Sequence, residues 1–186
     1  MVALALPAQL GAFMQQTIAD TDPTALLLLD IASGMVRDYL QMELDAVVGD
    51  VVLLDPINGA TVILPEMPVT AVTLLETFDG TVWTTADPTT YAFSKRLGII
   101  AALPYTGVTW PYLPETWRVT YDHGFAVIPD TIVGAVIGRA ARAYASPAGV
   151  DMERIGSYQV KYSLETGGFT DAEKQGLARY VNPRIA

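Results

Sequence analysis

Histidine is the side chain best suited to moving protons near neutrality, and this chain has a single one, His123. A Ser/His/Asp hydrolase would have to be built on it. Its neighbour Asp122 cannot orient it, because adjacent residues on a strand point to opposite faces. His123 lies in Tyr121-Asp122-His123-Gly124-Phe125, where a strand end gives way to a helix, and it reads as a turn histidine. There is no cysteine, so a metal site would have to be a carboxylate site for calcium or magnesium. The nearest acidic clusters are Asp20/Asp22 and Asp50/Asp55. Neither has the spacing of a calcium loop, and helix capping and turn formation explain both more simply. No phosphate-cradling Gly-rich loop, dinucleotide fingerprint or nucleophile elbow is present. A glycosidase-type carboxylate pair is assembled in three dimensions and leaves no linear signature. The expectation is a protein that is not an enzyme, with no catalytic, cofactor or metal residues.

Aromatic residues offer the remaining chemistry. Trp83, Trp110 and Trp117, with Tyr105 and Tyr112, could form a stacking platform for sugar or single-stranded nucleic acid. No basic residues surround them, which favours core or subunit-interface aromatics. The charge balance points the same way. Eleven basic residues against twenty acidic ones give a net charge of −9. Gripping phosphate requires clustered Lys and Arg, and Lys95-Arg96 is the only adjacent basic pair.

The elements that position these residues can be read from periodicity. Residues 7–18 fit a short helix. Asp22 can cap a second, with Pro23 at its first position, and Leu26, Leu29, Val36, Tyr39 and Leu40 recur at helical spacing through Met42. Within it, Ala32, Ser33 and Gly34 form a patch where another backbone could approach. From Asp45 to Asp122 β-branched and aromatic residues dominate. Short runs at 51–54, 61–64, 69–76, 82–85, 91–94, 99–103 and 117–121 predict a compact antiparallel sheet or small barrel, with Asp79-Gly80 the clearest hairpin signal. Helical period returns at Pro129-Asp130, with Ile132, Val133, Val136, Ile137, Ala140 and Tyr144 on one stripe; Gly134 and Gly138 predict close helix packing. Residues 155–163 alternate as a strand or hairpin arm far from the earlier sheet. Thr170-Asp171-Ala172-Glu173 is a capping box opening a short helix that ends near Tyr180.

Just over half the residues are apolar and 17% are charged, so a core is easily built and apolar surface is left for a partner. Residues 1–6 lack the basic start of a secretory signal, and the run 25–36 is too short to span a bilayer. A soluble protein without a membrane partner is expected.

Two stretches carry a resemblance. One is Leu27-Leu28-Leu29-Asp30-Ile31-Ala32-Ser33-Gly34-Met35-Val36-Arg37-Asp38-Tyr39. The other runs from Val119-Thr120-Tyr121-Asp122-His123-Gly124-Phe125 through Ile128-Pro129-Asp130 and 140–150 to 155–162, then Phe169-Thr170-Asp171-Ala172-Glu173 and Leu177-Ala178-Arg179-Tyr180. This order resembles the head-to-tail adaptor (connector) proteins of long-tailed bacteriophages, especially those of actinobacteria. It covers roughly 5–45 and 117–181.

The resemblance implies an α+β chain. A helical bundle of about four helices (1–45 and 123–181) would carry a C-terminal arm (176–186). The β-rich antiparallel insertion or small barrel (46–122) is read from the residue pattern; it exceeds the small loop of the shortest relatives and matches them only in kind. It implies a homo-oligomeric ring, twelve copies by the family's habit, in the virion neck of a particle made in the bacterial cytoplasm. The ring would sit below the portal protein, join it to a stopper or tail-completion protein, and let genomic DNA pass through without specific binding. Carried over, Leu177, Arg179, Tyr180, Arg184 and Ile185 would face the portal. Read from the residues and not from the family, the Gly-flanked strand 155–163 with Tyr158, Val160 and Tyr162 could complete a neighbour's sheet by strand addition. Two alternatives stand beside this. A different neck or tail-completion ring protein is mostly β, so helical content well below a third would favour it. A carbohydrate- or host-binding module would use the aromatic β region.

Overall fold

The computed structural model describes residues 3–145 and 168–181 in full, and the strands Met152–Ile155 and Tyr158–Lys161 by their backbone. The fold is α+β. The chain divides into two compact units, Met1–Gln41 with Ile128–Ala186, and Met42–Val127.

In the first unit, helix α1 spans Pro7–Met14. It stops short of Ile18 because Gln15 turns left-handed, φ 57°, and the Gln16 N–H bonds to the Gly11 carbonyl at 3.0 Å. Helix α2, Pro23–Leu40, starts where the Asp22 carboxylate accepts the N–H groups of Thr24 and Ala25 at 2.8 and 2.9 Å. It buries Ala25, Leu29, Ala32, Val36 and Leu40, whereas Leu26, expected on that stripe, is exposed. The small-residue patch does receive another backbone: Ser33, fully buried, accepts the Leu4 N–H at 2.9 Å and donates to the Leu29 carbonyl.

Helix α3, Asp130–Ala145, buries Ile132, Val136, Ile137 and Ala140 and packs on α2. Its glycines do not admit a second helix backbone as their spacing suggests. Gly134 faces open space, and at Gly138 an added Cβ would lie 2.7 Å from a carboxylate oxygen of Glu173. That carboxylate belongs to helix α4, Asp171–Leu177, which continues as a 3-10 turn through Tyr180. The capping box forms as expected: Thr170 Oγ1 accepts the Glu173 N–H, and Glu173 Oε2 accepts the Thr170 N–H at 2.8 Å. Arg142 of α3 clamps the same carboxylate with two bonds of 2.9 Å, the bidentate geometry that makes such pairs strong.

The second unit carries seven strands: β1 Val47–Leu54, β2 Thr61–Ile63, β3 Val69–Phe78, β4 Trp83–Thr85, β5 Tyr91–Ser94, β6 Ile99–Ala102 and β7 Trp117–His123. All pair antiparallel. They divide between two sheets, one in the order β1-β7-β3-β4 and one in the order β2-β6-β5. The Asp79 hairpin joins β3 to β4: its Oδ1 accepts the N–H groups of Thr81 and Val82, closing a loop between the paired Phe78 and Trp83. Strand β7 alternates strictly, with Trp117, Val119, Tyr121 and His123 buried and the residues between them half-buried. After it, Gly124 takes φ +85°, and an added Cβ would sit 2.0 Å from the Asp45 carbonyl.

Of the stretch 155–163, expected as a strand or hairpin arm, Tyr158–Lys161 is an arm of a hairpin and Ile155 ends the other arm. β8, Met152–Ile155, pairs with β9, Tyr158–Lys161, with Ile155 opposite Tyr158.

Two glycines should answer oppositely to alanine. Gly124→Ala forces a side chain into left-handed backbone, a cost of about 1–3 kcal/mol before any clash. Gly134→Ala, mid-helix with open space, should stabilise by about 0.5–1 kcal/mol. Urea unfolding checks both, and a neutral Gly124→Ala would contradict the close approach to Asp45. The α4 clamp predicts a pH effect. Burial alone pushes the Glu173 carboxyl up, but bonds from Arg142 and Thr170 hold it below the usual 4.5. A depressed folded value contributes stability above the unfolded value, lost as pH falls through the folded one. Glu173→Gln should therefore flatten the fall of the urea midpoint below pH 4.5; parallel curves would refute the clamp.

Candidate interaction surfaces

His123 is a buried strand residue and not a turn histidine, because the alternation of β7 runs on to it. Only 3% of it is exposed. Its Nε2 lies 3.3 Å from Asp50 of β1, its ring packs 5.0 Å from that of Tyr121, and its buried Nδ1 has no hydrogen-bond partner among the described residues. Asp122 points away and accepts the Gly49 N–H at 2.8 Å. Asp55 accepts the Glu115 N–H, so Asp50 and Asp55 serve different contacts. Among the described residues no three His, Asp or Glu side chains gather as a metal site. No helix there is long and apolar enough to cross a membrane.

The aromatic residues do not make one platform. Trp117 is fully buried, donates to the Pro111 carbonyl, and stacks on Trp110 at 4.6 Å. Trp83 carries the Arg118 guanidinium on its face at 4.4 Å. Tyr105 and Tyr112 are exposed. What remains open is a groove of about 580 Å³ lined by Phe78, Asp79, Trp110, Tyr112 and Leu113.

A surface that no motif announced lies on the four-stranded sheet. The residues of β7 facing away from the core are Arg118 and Thr120. Across the register Leu53 and Val51 of β1 and Glu76 and Leu74 of β3 stand opposite them. Val51 is 58% and Leu53 49% exposed. Arg118 binds Glu76 through two 2.7 Å bonds, which hold the Glu76 carboxyl below its usual value. Strand β1 forms an edge of the sheet. The signal was legible: a strand with one wet face alternates, whereas 51–54 reads Val-Val-Leu-Leu, apolar on both faces. The β-rich unit also holds most of the negative charge, ten carboxylates against Lys95, Arg96 and Arg118, a net of −7.

Of the expected portal-facing residues, Leu177 is fully buried within its own unit. Arg179 donates to Thr131 Oγ1 at 2.6 Å and lies over the Tyr180 ring at 4.9 Å. Arg184 and Ile185 lie outside the described residues. Of the expected strand-addition residues, Tyr158 and Val160 lie on β9, paired with Ile155 and Glu153, and Tyr162 lies outside the described residues.

No family model and no curated protein matches the chain. Solved structures do. A chain from the neck of a native gene transfer agent (GTA) particle, computed with C12 symmetry, shares 20% identity over 99% of this chain and 92% of that one, TM-score 0.57. One from the neck of the empty particle, computed with C6 symmetry, shares 20% over 96% and 90%, TM-score 0.56. A third, from the virion of the native particle, shares 18% over 100% and 94%, TM-score 0.61. At this identity the likeness establishes a common fold, and it runs through the β-rich unit as well as the helices.

Proposed function

We propose that this chain is a structural protein of the neck of a phage-like particle. It acts as a head-to-tail adaptor that forms a ring, twelve copies around, between the portal and the stopper or tail-completion protein. The observation that carries the proposal is the likeness, over nearly the whole of both chains, to neck structures with C12 and C6 symmetry. Surplus apolar surface fits a subunit buried against neighbours. A net charge of −9 fits a lumen that repels phosphate and keeps DNA mobile. The reading requires no catalysis, and the buried His123 serves packing in it. The assignment to an actinobacteriophage type rests on the sequence resemblance alone.

A second reading, another ring-forming neck protein such as a stopper, would be mostly β. Among the described residues the four helices hold 8, 18, 16 and 7 residues, 49 together. The nine strands hold 47, so helix and strand are balanced and do not favour that reading. The adaptor is preferred because those helices form a unit of their own. A carbohydrate-binding module is less well supported, since Trp110 and Trp117 spend their faces on each other.

The test is genetic. Particles assembled without this chain should give filled heads and separate tails in electron micrographs, and supplying the chain should rejoin them. Joined particles in its absence would contradict the adaptor role. The C-terminal arm is tested by removing residues 182–186, which spares the buried Leu177. The truncated protein should unfold at the same urea concentration as the full chain yet bind the portal more weakly. Undiminished binding would remove the arm from the portal contact.

A further inference from the structure

The two ends of a missing interaction are visible in one chain. Strand β1 is an edge, and its half from Val51 to Leu54 carries none of the devices that normally protect one. It has no charge and no proline, and its bulge lies at the other end, between Val47 and Asp50. Its outward side chains Val51 and Leu53 are exposed apolar groups. Among the described residues the hairpin β8–β9 is a sheet of two strands, and two strands alone are marginal in water; a third is needed for independent stability.

Charge separates the two pieces. The segment around β1 holds Asp45, Asp50 and Asp55 and no base, within a unit of net −7. β9 holds Lys161 and no acid, the hairpin 152–161 carries Arg154 and Lys161 against Glu153, and residues 139–186 carry seven bases against five acids. A ring of more than two copies needs such an arrangement, because each subunit must offer two different, complementary surfaces.

We infer that β9 of one copy adds to the free edge of β1 in the next. The four-stranded sheet is thereby extended to β9-β1-β7-β3-β4, Val51 and Leu53 gain cross-strand neighbours beside them, and a hairpin bearing Arg154 and Lys161 meets an acidic sheet. The inference rests on the ring reading above and names the surfaces that close the ring.

Cysteine chemistry tests it cleanly, since the chain has no native cysteine. Full-length Leu53→Cys and Val160→Cys proteins are mixed and treated with a thiol–thiol cross-linker reaching about 7–8 Å, the diagonal spacing between paired strands. A covalent dimer is expected, and none from Val160→Cys mixed with Leu97→Cys, a control on the other sheet's β5–β6 turn. Separately, Val51→Lys with Leu53→Lys should leave the urea midpoint unchanged and shift half-assembly to roughly tenfold higher concentration or more. If rings form without the cross-link, the inference falls and the ring reading stands. A chain that stays monomeric at every concentration overturns both. If a chain carrying both cysteines closes on itself while mixed single variants do not react, the two strands pair within one subunit, which also overturns the inference.

Discussion

The insertion of β7 between β1 and β3 is the interaction on which the β-rich unit depends. Residues 117–123 return across more than sixty residues of chain to pair with 47–54 on one side, and across forty or more to pair with 69–77 on the other. Closing so long a loop is slow and entropically costly. It is offset by burying Trp117, Val119 and Tyr121 completely, side chains of the kind worth about 1.5–3 kcal/mol each when taken from water. The same insertion brings the unit's two ends together. Asp45 bridges to Phe125, and Gly124 lies against the Asp45 carbonyl. Chain entry and exit therefore coincide, which lets 86 consecutive residues form a unit of their own inside a helical sequence.

That arrangement fixes which edges remain. With β7 central, β1 becomes an outer strand, and its apolar face has no partner within the sheet. The Arg118–Glu76 pair sits in the middle of this face with Trp83 over the guanidinium. A cation neutralised and stacked in this way is less heavily hydrated than a free one, so the surrounding Val51, Leu53 and Leu74 are not isolated by a strongly solvated charge.

Much of the fold was legible because local signals agreed with the tertiary structure. Asp22 with Pro23, the Thr170–Glu173 box and the Asp79 turn each form as their side-chain chemistry dictates, and the seven β runs all become strands. The failures share one cause, which is tertiary context. Gly134 and Gly138 share one spacing, but Glu173, thirty-five residues on from Gly138, decides that one is filled and the other open. His123 looked like a turn residue until β7 carried it inward. Trp110 and Trp117 could not be recognised as a stacked pair, since stacking depends on where the 104–114 loop returns. Of the interaction surfaces, the doubly apolar run 51–54 was readable as a strand needing two covers, and only the structure shows that Val51 and Leu53 stay exposed among the described residues.

A ring in the neck requires that this chain associate with itself in closed cyclic form. The most direct measurement is the mass of the purified protein in solution by native mass spectrometry, alone and with its portal. The account predicts a single discrete species of twelve times the 20.0 kDa chain mass, formed alone or on the portal. A chain that remains at 20.0 kDa in both conditions, or that forms an open series of sizes without closure, would contradict it.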